Sequence, residues 1–160
     1  VIREATRITG EAILAAMKAT KPGLFEYELQ ASAEYVFTKN GALGASYFAL
    51  IATGPNTYYT HYNRNTSKLA DGDLVQFDYA PDFKYYQSDV TRVWPANGKF
   101  TPRQREIYDI VLGAHDARAA RQFGQRAGFL RGVDVQVADG RIGRRVGRNR
   151  GHGNVPVQSA

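Results

Sequence analysis

Between Leu74 and Trp94 the chain reads as two strands joined by a short turn, and each half carries an aspartate, a residue that strands disfavour. Asp71-Gly72-Asp73 forms a turn that launches Leu74–Tyr79, and a second strand from about Tyr85 to Trp94 follows Pro81-Asp82-Phe83. On one straight strand Asp78 and Asp89 would face opposite ways, because side chains alternate. Across a hairpin centred on Phe83-Lys84, residues whose numbers sum to 167 lie opposite one another. Asp78 and Asp89 then share one face, with Cβ atoms about 5 Å apart. Directly opposed like charges destabilise a sheet, so either one carboxyl is protonated or a cation sits between the two. The competing reading is that each aspartate serves a turn or caps a nearby segment. Two carboxylates do not complete a metal site, so further oxygen or nitrogen ligands must come from elsewhere.

Helical spacing governs the chain before this hairpin. Ile2, Ile8, Ala12, Ile13, Ala16 and Met17 form one stripe, which Lys21-Pro22-Gly23 ends. A second helix is predicted from about Glu26 to Lys39, burying Leu29, Val36 and Phe37 and stopping at Asn40-Gly41. Ser46–Thr53 is aromatic and β-branched and reads as a strand; Gly54–Ser67 is polar and aromatic without period and reads as a loop. After the hairpin, Thr101-Pro102-Arg103-Gln104 has the pattern of a capped helix start, which Ile107, Ile110, Val111 and Ala114 continue.

Composition narrows the function classes. The chain has no cysteine, which excludes disulfides and thiolate sites and fits a reducing compartment. No stretch approaches the roughly 20 apolar residues of a membrane-spanning helix. Charge is unevenly placed. Residues 1–116 hold 12 Lys/Arg against 13 Asp/Glu, a net −1, whereas residues 117–160 hold 9 Arg against Asp134 and Asp139, a net +7. A basic stretch of this kind is compatible with nucleic acid or an acidic surface, or with an arginine-rich composition that serves no partner.

Wording within the hairpin is more specific than its spacing. Asp71-Gly72-Asp73-Leu74-Val75-Gln76-Phe77-Asp78, then Tyr85-Tyr86-Gln87-Ser88-Asp89-Val90-Thr91-Arg92, resembles the central signature of the M24 metallopeptidases. Pro95-Ala96-Asn97-Gly98-Lys99-Phe100-Thr101, followed by Gln104-Arg105-Glu106-Ile107-Tyr108, is similar to the aminopeptidase P and prolidase branch. The resemblance covers roughly residues 1–116. It implies that Asp78 and Asp89 are two ligands of a dinuclear centre of divalent ions (Mn, Co or Zn), to which the family adds one His and two Glu from later in the chain. It also implies that His61 faces the substrate beside the metals. His152, in Gly151-His152-Gly153, loosely matches the family's His ligand, but Asn154-Val155-Pro156 does not continue that motif, and no glutamate follows Glu106. Arg92 is expected to anchor the hairpin through an ion pair. Tyr58, Tyr59, Tyr85 and Tyr86 are expected to be packing residues, and Tyr79-Ala80-Pro81, which departs from the family pattern, to crowd the site or shift the turn.

The implied fold is α+β, the pita-bread architecture, with residues 1–116 as its first half and 117–160 as an Arg/Gly-rich, partial or aberrant continuation. That continuation is expected to run as helix to about Gly128 and then to lie at the surface or against another subunit. The implied activity is metal-dependent hydrolysis of N-terminal, Xaa-Pro peptide bonds by a cytoplasmic homo-oligomer. Because the glutamate ligands are missing from this sequence, the chain is expected to be a truncated or impaired form. The rival expectation is a non-catalytic pita-bread module that binds nucleic acid or an acidic protein through its basic stretch.

Overall fold

The computed structural model describes residues 1–123, 136–138 and 141–143, with side chains through residue 119. Two helices form the first layer: α1, Ile2–Ala19, and α2, Glu26–Lys39. Along α1 the residues at helical spacing, Ala5, Ile8, Thr9, Ala12, Ile13 and Ala16, are all buried, while Ile2 at the start stays exposed. Four of these are Ala or Thr, and such small side chains let the α2 stripe of Leu29, Ala33, Val36 and Phe37 approach closely. Gly41, with φ 73°, ends α2 at the predicted left-handed stop.

The strands form two three-stranded antiparallel ladders. One has the order β2-β3-β6, built from Leu50–Thr53, Leu74–Asp78 and Thr91–Pro95. The other, β1-β4-β5, is made of Gly44–Ala45, Pro81–Phe83 and Tyr86–Gln87. Alternation along β3 sorts its side chains: Val75 and Phe77 are buried, and Tyr79 just beyond it joins them. These pack beneath α1 and α2 in one core with Ile51, Leu69 and Trp94. Phe77 lies 5.6 Å from Trp94 between ring centroids, and Tyr79 lies 5.2 Å from Phe37. Leu74, Gln76 and Asp78 occupy the other face of the same strand.

Two sequence expectations about the sheet need correction. The Ser46–Thr53 strand is paired only from Leu50, and the second hairpin strand is interrupted, because Ser88-Asp89-Val90 lie outside both ladders. The register also differs by two residues. Asp78 pairs with Thr91 rather than Asp89, and Phe83 with Tyr86. The turn therefore centres on Lys84-Tyr85, where φ is 54° and 66°. A two-residue hairpin turn with left-handed backbone at both central positions matches the twist of the flanking strands better than a turn one residue earlier.

Helix α3, Pro102–Phe123, begins as predicted. The Gln104 amide donates to Thr101 Oγ1 at 3.2 Å, and the Thr101 amide donates to Gln104 Oε1 at 2.9 Å. Ile107, Ile110 and Val111 lie on the helix as expected but stand exposed. The change of net charge at residue 117 falls inside α3, and the rest of the expected helix, residues 124–128, lies outside the described residues. Gln136–Ala138 and Arg141–Gly143 pair as a short antiparallel hairpin, β7-β8, where the sequence shows no clear period.

Candidate active site

Asp78 closes β3 on the face turned away from the helices, and both of its carboxylate oxygens are occupied. Tyr47 Oη donates to Oδ1 at 2.6 Å, and Thr91 Oγ1, directly across the ladder, donates to Oδ2 at 2.8 Å. Two hydroxyls thus fix the carboxyl plane while leaving lone pairs on each oxygen for a further partner. The Tyr47 hydroxyl is pushed well above the usual tyrosine range, chiefly by burial, then by its bond to Asp78 and by the negative charges of Asp78 and Asp89. It remains a donor.

Asp89 is exposed, and its neighbour explains that exposure. Ser88 is buried and shares a 2.7 Å hydroxyl–hydroxyl hydrogen bond with Thr9 of α1. Ser88 is thus held against the helix layer, and the adjacent Asp89 is left exposed. Asp89 is not opposite Asp78 across the ladder, but the charges of both carboxylates act on the Tyr47 hydroxyl.

His61 lies in the loop between β2 and β3, with φ 56°, and is exposed. It lines an open groove of about 260 Å³ together with Tyr58, Tyr59, Gln76 and Asp78. The loop owes its shape to Glu26, a fully buried carboxylate at the start of α2. Glu26 Oε1 accepts from the Thr53 amide at 2.8 Å and Asn56 Nδ2 at 3.0 Å; Oε2 accepts from Tyr62 Oη at 2.8 Å and the Ser67 amide at 3.0 Å. Asn65, also buried, completes the anchoring: its Nδ2 donates to the Ala49 carbonyl, and its Oδ1 accepts from the Ile51 amide.

Several expected roles fail here. Arg92 forms no ion pair among the described residues; Nη1 donates to the adjacent Thr91 carbonyl at 2.8 Å. Tyr79 does not crowd the site, because strand alternation turns it into the core, where its hydroxyl donates to Glu34 at 2.8 Å. Tyr58, Tyr59, Tyr85 and Tyr86 are not packing residues: each is exposed, Tyr58 to 88%, the first pair at a loop tip and the second at the hairpin end. His115 is exposed on α3 beside Asp116. His152 lies outside the described residues.

Among the described residues no group of three or more His, Asp or Glu side chains converges on one point. Asp78 and Asp89 fit one side of a site for hard divalent cations: two oxygen donors, one of them already oriented by hydroxyls. Against this geometry, the profile of metallopeptidase family M24 matches residues 1–153. The chain belongs to that family. The match reaches well past residue 116, where the resemblance in the hairpin and helix wording ends. The Xaa-Pro aminopeptidase of Escherichia coli K12 is 45% identical over 112 residues, covering 70% of this chain and 25% of its own length. A protein of Emericella nidulans named as a probable Xaa-Pro aminopeptidase is 32% identical over 167 residues, covering 89% of this chain and 36% of its own. Zinc-substituted E. coli aminopeptidase P in complex with product superposes with a TM-score of 0.73 at 42% identity, over 76% of this chain and 27% of that structure. The α+β arrangement is thus the first part of the pita-bread fold of the M24 peptidases, and the chain spans about a quarter of the length of its bacterial relative.

Signals for the supporting residues were present but ambiguous. Thr91 stands inside the Ser88–Arg92 wording, and Tyr47 in the stretch read as a strand. Nothing in the sequence separates Glu26 from the ordinary acidic residues of a helix's first turn.

Proposed function

We propose that this chain supplies one wall of the active site of a metal-dependent aminopeptidase or dipeptidase that cleaves N-terminal Xaa-Pro bonds. The observation that carries the reading is Asp78, oriented by the Tyr47 and Thr91 hydroxyls, in a groove edged by His61, with the charge of Asp89 acting on the same Tyr47 hydroxyl. Divalent ions held there (Mn, Co or Zn) would polarise the scissile carbonyl and lower the pKa of a water molecule. Asp78, oriented by Tyr47 and Thr91, and Asp89, backed by the Ser88–Thr9 bond, are the ligands this chain would contribute; His152 is a third candidate. His61 would donate a hydrogen bond to the substrate carbonyl oxygen as negative charge develops on it. A cysteine-free chain suits the reducing cytoplasm, and assembly as a homo-oligomer fits the exposed Ile107, Ile110 and Val111 of α3.

Two measurements test this. The 160-residue chain should bind Mn²⁺ weakly, with Kd roughly millimolar, because two carboxylates form an incomplete donor set. That binding should vanish in both Asp78→Asn and Asp89→Asn, and the chain alone should hydrolyse Xaa-Pro peptides little or not at all. Mn²⁺ binding that survives both substitutions would remove the metal reading. The rival reading, a non-catalytic binding module, rests on charge alone. It gains only if the chain associates with duplex nucleic acid at low ionic strength with a steep salt dependence.

A further inference from the structure

We propose that Glu26 is the positioning residue for His61; the role of His61 rests on the peptidase reading above, but the anchoring does not. A carboxylate that is 0% exposed and has no ion pair among the described residues must be held by donors, and Glu26 has four. They come from different parts of one segment. The Thr53 amide is the last of β2, Asn56 lies in the 3₁₀ turn Gly54–Tyr58, Tyr62 follows His61 directly, and Ser67 ends the loop. The Glu26 backbone adds a fifth tie, its amide donating to the Ser67 carbonyl at 3.0 Å. One side chain therefore pins the loop at both ends and on each side of its tip. Only Thr57-Tyr58-Tyr59-Thr60-His61 lies between the Asn56 and Tyr62 anchors, and this is the stretch that edges the groove. His61 has φ 56°, a conformation a non-glycine residue keeps only when its surroundings impose it. The Tyr62 amide closes a turn around His61 by donating to the Tyr59 carbonyl at 3.3 Å, and the Tyr62 hydroxyl ties that turn to Glu26. The Thr53 and Ser67 bonds hold the ends of the loop, and the Asn56 and Tyr62 bonds bracket the histidine.

The test uses the 160-residue chain with Glu26→Gln and the milder Tyr62→Phe, which keeps the ring and removes one donor. Amide hydrogen exchange and His61 ring NMR signals are the readouts. Removing one partner of a buried, charge-assisted bond should speed exchange at Thr53, Tyr59, Tyr62 and Ser67 by roughly ten- to a hundredfold. Val75 and Phe77 in β3 should stay unchanged in Tyr62→Phe, and the His61 ring signals should shift and broaden in both variants. Uniform acceleration across the chain, or unchanged His61 signals, would reduce Glu26 to a stability residue and overturn the proposal. In a polypeptide with measurable Xaa-Pro turnover, Tyr62→Phe should lower kcat with little change in KM; equal loss of His61→Ala and Tyr62→Phe activity through KM alone would also overturn it. Absence of turnover in every version would count against the peptidase reading and leave the exchange result standing.

Discussion

Replacing Gly54 by alanine should destabilise the chain by about 2–3 kcal/mol, and the structure separates that cost into two parts. Gly54 has φ +52°, where an L side chain crowds the backbone and costs about 1 kcal/mol. A Cβ there would also lie 2.9 Å from Asp73 Oδ1 and 3.1 Å from its Cγ and Oδ2. Asp73 cannot retreat freely, because Oδ2 accepts from the Ala70 amide at 3.0 Å and from Thr53 Oγ1 at 3.3 Å. Moving it sacrifices those bonds, about another 1–2 kcal/mol. Gly72 supplies the control: its φ is +83° but nothing lies within 4 Å of its Cβ position, so Gly72→Ala should show the conformational cost alone. By thermal denaturation, Gly54→Ala should lower Tm by roughly 5–10 °C and Gly72→Ala by about half as much or less. Equal losses at the two positions would refute the clash and, with it, the closeness of the loop's first residue to Asp73.

Tyr47→Phe and Thr91→Val each strip one hydroxyl from Asp78, and each should weaken Mn²⁺ binding by about tenfold or more while changing stability little, measured by calorimetry beside denaturation. Thr101→Ala removes half of the α3 capping box and should cost about 1 kcal/mol, visible as reduced helix signal on warming. Burial and then the Glu34 bond push the Tyr79 hydroxyl up, so the folded state holds its proton longer than the unfolded chain does. That contribution is intact below about pH 10 and declines as pH rises further, so Tyr79→Phe should flatten the alkaline limb of a stability–pH curve. An alkaline limb unchanged in Tyr79→Phe would show that other groups set it.

Sequence legibility was high where local chemistry decides structure. The stripe of α1, the span of α2, the Thr101 box and the β3 alternation all follow from periods and capping residues within a few positions of one another. The turn was placed one residue early, and the register two residues off, because turn placement depended on backbone conformations at Lys84 and Tyr85 that neither residue type advertises. The pairing arithmetic put Asp89 directly opposite Asp78, but Thr91 holds that place, because Ser88-Asp89-Val90 leave the ladder and no alternation rule anticipates such a break. Glu26 was illegible for a different reason. Its four partners lie between 27 and 41 residues away, so its burial is a property of the tertiary fold rather than of any local pattern.

The Thr9–Ser88 hydrogen bond changes how natural variation in this chain should be weighed. Position 9 sits in a stripe of Ala and Ile, and a hydropathy scale would score valine there as an improvement of similar volume. In this fold that exchange strands the buried Ser88 hydroxyl at a cost of about 1–3 kcal/mol, directly beside Asp89. Drift at a helix position 79 residues away would then reach the carboxylate without touching any motif. Positions 9 and 88 should accordingly change together across descendants, as hydroxyl pairs or as apolar pairs, and a mismatched pair would mark a lineage in which the demand on Asp89 has relaxed.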